Sequence, residues 1–309
     1  MALLSVKRRD LKQASNRIGI DLGGTKIEGV LLDSAGDIKR RERLPTPQED
    51  YSAILDGVSE LIAMLTDDKH MPIGIGTPGS VSPLSPSMRN SNSTCLNGKH
   101  LLGDLEQHLG RAVRLANDAN CFALSEASDG AGDDSRVVFG VILGTGVGGG
   151  IVIDGKLVQG PSGISGEWGH NPMPEVEDLK RGRECFCGRL DCVETWISGP
   201  GLSKTYVTHS RKTLSALEIA ALDVSGESMA RQVLDGYFEQ LAGALAGVIN
   251  ILDPDTIVLG GGVSNIERLY EEVHPRLEKY VFSDHVGARL KKAHHGDSSG
   301  VRGAAWLWP

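Results

Sequence analysis

Sliding the chain against itself by 121 residues lays Ile18-Gly-Ile-Asp-Leu-Gly-Gly-Thr25 over Phe139-Gly-Val-Ile-Leu-Gly-Thr-Gly146. Gly19/Gly140, Leu22/Leu143, Gly23/Gly144, Gly29/Gly150 and Asp33/Asp154 are identical. In a chain with 40 glycines such matches can also arise by chance. What favours a duplicated architecture is the shared grammar. Each stretch is a buried apolar run, a Gly-rich turn and a second apolar run whose pattern suits a strand and not a helix. Each half of the chain is therefore expected to open with a β-hairpin. The halves differ in one telling position, Asp21 in the first against Ile142 in the second.

Other elements follow from periodicity. Residues 51–65 place Ile54, Leu55, Val58, Leu61, Ile62 and Leu65 on one helical face. Ile73-Gly-Ile-Gly is a short strand that breaks at Thr77-Pro-Gly79. Met229–Leu252 has near-helical apolar spacing, and Asp253-Pro254 stops it because proline cannot continue the ladder. Thr256–Leu259 is a buried strand emptying into Gly260-Gly-Gly262, with Ser264 as the cap of the next helix. Gly300–Trp308 reads as a short helix. At 309 residues, two α/β domains are expected. Residues 1–16 form a polar, basic extension, 17–116 with 296–309 a small domain, and 117–295 a larger one.

Composition narrows the function. The net charge is −8, and the Lys7-Arg8-Arg9 run near the start is short, so no nucleic-acid partner is expected. No run approaches about 18 apolar residues and the apolar start is too brief for a signal sequence, so no membrane is expected either. Of five cysteines, three cluster and Cys95 and Cys121 stand far apart, unlike a disulfide framework; a reducing cytoplasm is the expected setting.

Three Gly-rich turns follow three buried strands, and such turns let backbone N–H groups approach phosphate. Gly144-x-Gly146-x-x-Gly149 fits the dinucleotide fingerprint, but that motif needs a helix straight afterwards, and Ile151-Val-Ile-Asp-Gly155 is a strand with a hairpin turn. From Gly150 to Lys156 the chain nearly spells a Walker A loop, yet Leu157 replaces the Ser or Thr that would hold Mg²⁺.

His170, Cys185, Cys187 and Cys192 supply three thiolates and one imidazole, the ligand set of a closed structural zinc site with no open position for water or substrate. The plainer reading is three buried free cysteines and an unrelated histidine. Three cysteines this close together favour the metal. Glu167 and Glu194 flank the ligands. Asn117-Asp118 stands at a strand end before a helical stretch at 121–130. Phosphoryl transfer to an alcohol needs a carboxylate within reach of the accepting hydroxyl, and Asp118 is the candidate base. The structural alternative is an Asp that caps the following helix.

Two of the turns, Asp21-Leu-Gly23-Gly24-Thr25-Lys26 and Leu143-Gly144-Thr145-Gly146-Val-Gly148, resemble the phosphate-binding hairpins of the superfamily of actin, hexokinase and the heat-shock ATPases. Gly260-Gly261-Gly262 resembles its adenosine loop. Together with Thr77-Pro-Gly79, Asn117-Asp118-Ala-Asn120, Gly166-Glu167-x-Gly-His170 and the Cys185–Glu194 run, they make residues 17–309 resemble the ROK family of repressors, open reading frames and sugar kinases. Asn90-Ser-Asn92-Ser-Thr94, Gly169-His-Asn-Pro172 and the closing 295–308 look most like its bacterial fructokinase (mannokinase) branch. Asp191 departs from the family, which usually has Gly before the last Cys, and a carboxylate there is expected to weaken zinc slightly.

The resemblance implies a duplicated, two-domain actin-like ATPase fold of the ribonuclease H-like kind, with an interdomain cleft and a zinc-bound loop at 166–194. It implies an ATP-dependent fructokinase acting on the 6-hydroxyl, with mannose or glucose as further acceptors. N-acetylmannosamine or N-acetylglucosamine kinase is the alternative. A sugar-sensing repressor is the other, disfavoured because residues 1–16 are too few for a helix-turn-helix module. Asp118 would deprotonate the hydroxyl, and Asn92, Asn117, Glu167, His170 and Glu194 would contact the sugar, with Gly79 lining the pocket. His170 would serve zinc through one ring nitrogen and the sugar through the other. Asp21 would organise Mg²⁺. Thr25, Thr145, Lys26 and the glycines of both hairpins would hold phosphates, and Gly260–Gly262 the adenosine. A homodimer is also implied.

Overall fold

The computed structural model describes residues 16–308 apart from positions 92, 177, 178 and 180. It falls into two compact units. One runs to Cys121 and takes in the chain from Gly300 onward; the other is Phe122–Ser299. Among the described residues no helix is long and apolar enough to cross a membrane.

The first unit opens with β1 (Arg17–Leu22), β2 (Lys26–Leu32) and β3 (Ile38–Pro45), followed by α1 (Tyr51–Leu65), β4 (Ile73–Thr77), the small ribbon of β5 (Ser80–Val81) and β6 (Met88–Arg89), α2 (Leu101–Leu109) and β7 (Val113–Asn117). Its five-stranded sheet has the order β3-β2-β1-β4-β7, antiparallel through the first three and parallel from β1 to β7. Because side chains alternate along a strand, Ile18, Ile20 and Leu22 of β1 face one side, where Ile54, Val58 and Leu61 of α1 and Leu101 and Leu105 of α2 bury them. The other face carries Gly19 and Asp21.

In the second unit α3 (Asp118–Asp129) leads from the boundary into β8 (Val137–Leu143), β9 (Val147–Ile153) and β10 (Lys156–Leu157). Then come α4 (Glu194–Ile197), α5 (Gly199–Ser210), α6 (Ala216–Val224), α7 (Ser228–Leu252), β11 (Thr256–Gly260), α8 (Arg268–Leu277) and β12 (Arg289–Lys292). Its sheet has the order β10-β9-β8-β11-β12, with the same change from antiparallel to parallel. The 121-residue offset carries Lys26–Leu32 onto Val147–Ile153, residue for residue the bounds of β2 and β9. The duplication read from the sequence is thus present in the strand order. The core of this unit sets Phe139, Val141 and Leu143 against Leu234, Tyr237, Phe238, Leu241 and Leu245 of α7.

The last helix, α9 (Ser299–Ala305), returns to the first unit and covers the glycine face of its sheet. A Cβ on Gly19 would lie 2.0 Å from the Val301 carbonyl oxygen, and one on Gly74 1.8 Å from that of Ala304. Only glycine lets the helix backbone approach this closely. Val301 and Ala305 then pack on Val30 and Leu32.

Two local expectations need correction. Ser264 does not cap α8. It sits within a 3-10 turn at Gly262–Asn265, where its hydroxyl donates back to the Gly261 carbonyl at 2.7 Å, and Glu267 precedes α8 without a side-chain cap bond. Helix α3 begins at Asp118, three residues before the expected 121, because Asn117 accepts from the Ala119 N–H at 2.8 Å and starts the helix early.

Candidate active site

In the first unit the β1–β2 turn is fastened on its carbonyl side. Thr46 donates its hydroxyl to the Gly23 oxygen at 2.7 Å and its N–H to the Thr25 oxygen at 3.1 Å, while the Gln48 amide donates to the Gly24 oxygen at 2.9 Å. Thr25 and Lys26 are exposed at the turn. A Gly-rich turn tied down on its oxygens is a ready host for phosphate.

Asp21 ends this strand and pairs with Glu28 across the β1–β2 ladder. Burial first, then the charges of Asp118 and Glu28, push its pKa up to about 6. Glu28 itself is held below its ordinary value: burial opposes this, but Arg43 and Arg41 each donate to its carboxylate at 2.7 Å and Lys26 does so at 3.2 Å. Asp118 opens α3, and loss of hydration around its carboxyl outweighs the N–H it accepts from Ala119 at 2.8 Å, so its pKa is raised. The helix start is capped from Asn117, two residues before Ala119, and the Asp118 carboxyl reaches only the N–H of its immediate neighbour. Two carboxylates with raised pKa in one small region are a pattern typical of acid–base sites.

Asn117 spends both ends of its amide, the oxygen on Ala119 and the nitrogen on the Gly79 oxygen at 3.2 Å. Gly79 has φ +80°, and a Cβ there would meet the Arg89 carbonyl oxygen at 2.5 Å. The expected contact Asn92 lies outside the described residues.

In the second unit, Gly144 and Thr145 of the β8–β9 turn, Gly199 and Ser203 of α5, and Gly262 and Val263 after β11 line a cavity of about 630 Å³. The two Gly-rich turns and the first turn of α5 thus meet in one recess, with backbone N–H groups, hydroxyls and an apolar wall. Such a mixture suits a phosphorylated ligand with a flat ring. Gly261, at φ +83°, passes so near β8 that a Cβ would lie 2.5 Å from the Leu143 oxygen, while Gly260 abuts the Phe122 ring. Gly146 and Gly148 lie on the same hairpin.

The segment Gly166-Glu-Trp-Gly-His170 docks on β9. Trp168 donates its indole N–H to the Gly148 oxygen at 3.0 Å and meets Phe139 edge-on, and a Cβ on Gly169 would lie 2.1 Å from the Val147 oxygen. Glu167 is exposed beside it. This docking brings His170 to Cys185, Cys187 and Cys192, whose donor atoms all lie within 4.8 Å of one another. His170 Nδ1 is 3.6 Å from Cys185 Sγ, and Cys187 Sγ is 3.6 Å from Cys192 Sγ. Metal bonds of about 2.3 Å to sulfur and 2.0–2.1 Å to nitrogen give tetrahedron edges of roughly 3.6–3.8 Å, so the donor set fits a zinc ion. The imidazole presents Nδ1 to the sulfurs, which leaves Nε2 for another partner.

Asp191 lies within this loop with φ +54°, a conformation that explains why glycine suits the position. Its carboxylate accepts from backbone N–H groups of the loop. Burial would raise its pKa, but the N–H groups of Arg183 and Gly182, at 2.9 and 2.9–3.0 Å, hold it below the ordinary value. Arg183 is the anchor that sequence reasoning missed. Its guanidinium lies 3.7 Å over the Trp196 ring and donates to the carbonyls of Thr195 and Gly201.

A family model, the ROK family, matches residues 17–309. The chain belongs to the ROK family. N-acetyl-D-glucosamine kinases of Salmonella gallinarum and Escherichia coli O1:K1 are each 40% identical to it, over 94% of this chain and 98% of theirs. Among solved structures, the ROK hexokinase from Thermus thermophilus superposes with a TM-score of 0.83 at 28% identity, over 94% of this chain and 97% of that one. A ROK glucokinase from Streptomyces griseus in complex with glucose and AMPPNP gives 0.74 at 27%, over 95% and 99%. The fold is accordingly the α/β, actin-like ATPase type of the ROK sugar kinases, and a sugar kinase is the activity class. The resemblance to the fructokinase branch finds no counterpart among these names, and those of the two 40% identical relatives point to the amino-sugar alternative.

Proposed function

We propose that the chain phosphorylates an N-acetylated amino sugar, with N-acetylglucosamine the first candidate, using Mg·ATP. The observation that carries this reading is the 40% identity over nearly the full length to N-acetyl-D-glucosamine kinases. The hydroxyl attacked is the one on C6. Asp118 accepts its proton as the oxygen bonds to the γ-phosphorus and the bond to the β,γ-bridging oxygen breaks, leaving ADP. The raised pKa suits that task, because it makes the carboxylate a stronger proton acceptor than an ordinary aspartate.

Asp21 would organise Mg²⁺, the ion that neutralises charge building on the transferred group. The two Gly-rich turns hold the phosphates, Thr25, Lys26 and Thr145 among their donors, and the recess by Gly260–Gly262 holds the adenosine. Glu167, His170 through Nε2, Glu194, Asn92, Asn117 and Gly79 form the sugar side. Zinc would be held by His170, Cys185, Cys187 and Cys192, and with four protein donors it would fix the loop and supply no chemistry of its own.

ADP release measured with Mg·ATP across N-acetylglucosamine, N-acetylmannosamine, glucose, mannose and fructose tests the reading. Turnover is expected to be greatest with an N-acetylated sugar. A fructose preference would restore the fructokinase alternative, and no sugar-dependent turnover at all would sink both.

A further inference from the structure

The β8–β9 turn is held at both of its legs by the chain that leaves the cysteine cluster. Glu194, two residues past Cys192, accepts from the Val147 N–H through Oε2 at 2.9 Å. Five residues further on, the Gly199 N–H donates to the Gly144 oxygen at 2.8 Å. Between these legs lies Gly146, and a Cβ there would come within 2.5 Å of the same Glu194 Oε2, with no other heavy atom within 4 Å except the Glu194 carboxyl carbon. The φ of Gly146 lies outside the left-handed range, so the glycine is needed to make room for the carboxylate and not for backbone freedom.

The platform under Glu194 is built by the metal loop. Val193 donates its N–H to Asn171 at 2.9 Å, Thr195 bonds the Cys192 oxygen with both its N–H and its hydroxyl, and Arg183 grips the Thr195 oxygen at 2.7 Å. An ordered cysteine cluster therefore fixes where the carboxylate stands, and the carboxylate fixes the turn.

We propose that Glu194 is a positioning residue for the nucleotide phosphates, shaping the Gly144–Val147 turn through the Val147 N–H and so linking the metal loop to nucleotide affinity. The proposal rests on the kinase reading above. It is separate from any contact Glu194 makes to sugar, and it acts with no sugar present. It also fixes a sign. A carboxylate that merely competed with phosphate for the Val147 N–H would, once removed, leave nucleotide binding tighter. A carboxylate that holds the turn in shape leaves it weaker.

The test is calorimetric binding of Mg·AMPPNP, without sugar, to the zinc-loaded protein and its variants, with zinc content measured for each. Glu194→Ala is expected to weaken binding about five- to tenfold, the loss of one charge-assisted hydrogen bond. Glu194→Gln, whose amide oxygen still accepts from Val147, stays within about threefold of the unaltered protein. Gly146→Ala drives the carboxylate off Val147 and weakens binding to a similar degree. In the Glu194→Ala background, where its Cβ meets open space, the same substitution adds little. Where Glu194→Ala fails to fold, Gly146→Ala alone carries the test. Unchanged or tighter binding in Glu194→Ala or Gly146→Ala, or a Gly146→Ala penalty that persists without the carboxylate, would overturn the proposal while leaving the kinase reading intact. An unaltered protein that binds no Mg·AMPPNP would overturn both.

Discussion

Asp21 and Glu28 face each other across the β1–β2 ladder, the first eased only by the charge of Lys26 among the influences on its pKa and the second gripped by Arg41 and Arg43. Their proximity raises the Asp21 pKa beyond what burial achieves alone. The acidic limb of kcat/KM is therefore expected near pH 6 and not near 4, since Asp21 regains its proton as pH falls through its raised value. Glu28→Gln removes one negative neighbour and frees two guanidinium charges, both of which lower the Asp21 pKa. A pH–rate profile should show the limb displaced to lower pH; a limb that stays put or rises would contradict this coupling.

The same shift has a cost in stability. The folded-state pKa of Asp21, about 6, exceeds its unfolded value, so the native chain binds more protons between about pH 4 and 6. Stability accordingly falls as pH rises through that window, and the ionised carboxylate costs on the order of 2–3 kcal/mol at neutral pH. Asp21→Asn should raise the urea midpoint at pH 7.5 in the absence of Mg²⁺ and nucleotide, with no gain at pH 4. Equal gains at both pH values would point to packing instead of charge.

Replacement of the proposed base has a different signature. Asp118→Asn keeps an oxygen that can accept the Ala119 N–H and so preserves the start of α3. It loses only the ability to take a proton. We expect kcat to fall by roughly 10²- to 10⁴-fold with nucleotide and sugar affinities little altered. Steady-state kinetics alongside binding measurements decide between this and a base located elsewhere.

Glu126 is a fully buried carboxylate that sequence reasoning passed over. It accepts from the N–H groups of Ala131, His294 and His295 and from the Ser299 hydroxyl, tying α3 to the segment that leads into α9. Glu126→Ala leaves four donors without their acceptor and should cost about 3 kcal/mol or more in urea unfolding. A loss under 1 kcal/mol would mean that water replaces the carboxylate cheaply.

The four donors of the cysteine cluster can be tested by metal removal. Burial raises the pKa of Cys185 and takes that of Cys192 to about 12, whereas Arg189 draws Cys187 down to about 6. Loading zinc must therefore expel thiol protons, and affinity should climb as pH rises from 6 to 8. The apo protein should melt at lower temperature and recover with one equivalent of Zn²⁺; an unchanged melting curve would reduce the cluster to ordinary packing.

Legibility followed the range of the interactions. Helix α1 is fixed by its apolar stripe and by Asp50, which accepts from Ala53, so its bounds could be read from local pattern. The β2 and β9 hairpins could be placed because a repeated Gly-rich grammar is itself local. Ser264 misled because a serine before a helix and a serine inside a tight turn look alike until the turn is seen. Thr46 and Gln48, which fasten the first Gly-rich turn, and Arg183, which braces the metal loop, carry no spacing signal: their partners are distant or chosen by loop shape. Glu28 could have been found, since a hairpin with Asp21 near its turn fixes which residue stands opposite. The odd residue Asp191 was visible as a departure, but only its positive φ and its hold on Gly182 and Arg183 show that it braces the loop.

Helix α9 seals the glycine face of a sheet whose first strand is made before every other described element. During synthesis β1 must therefore wait, its Gly19 face uncovered, until the ribosome has produced the whole of the second unit. That second unit is continuous in sequence and needs no such delay. A frameshift between Ser299 and Ala305 would leave the Gly19 face of the first sheet without its cover, although every strand of that sheet had already been made.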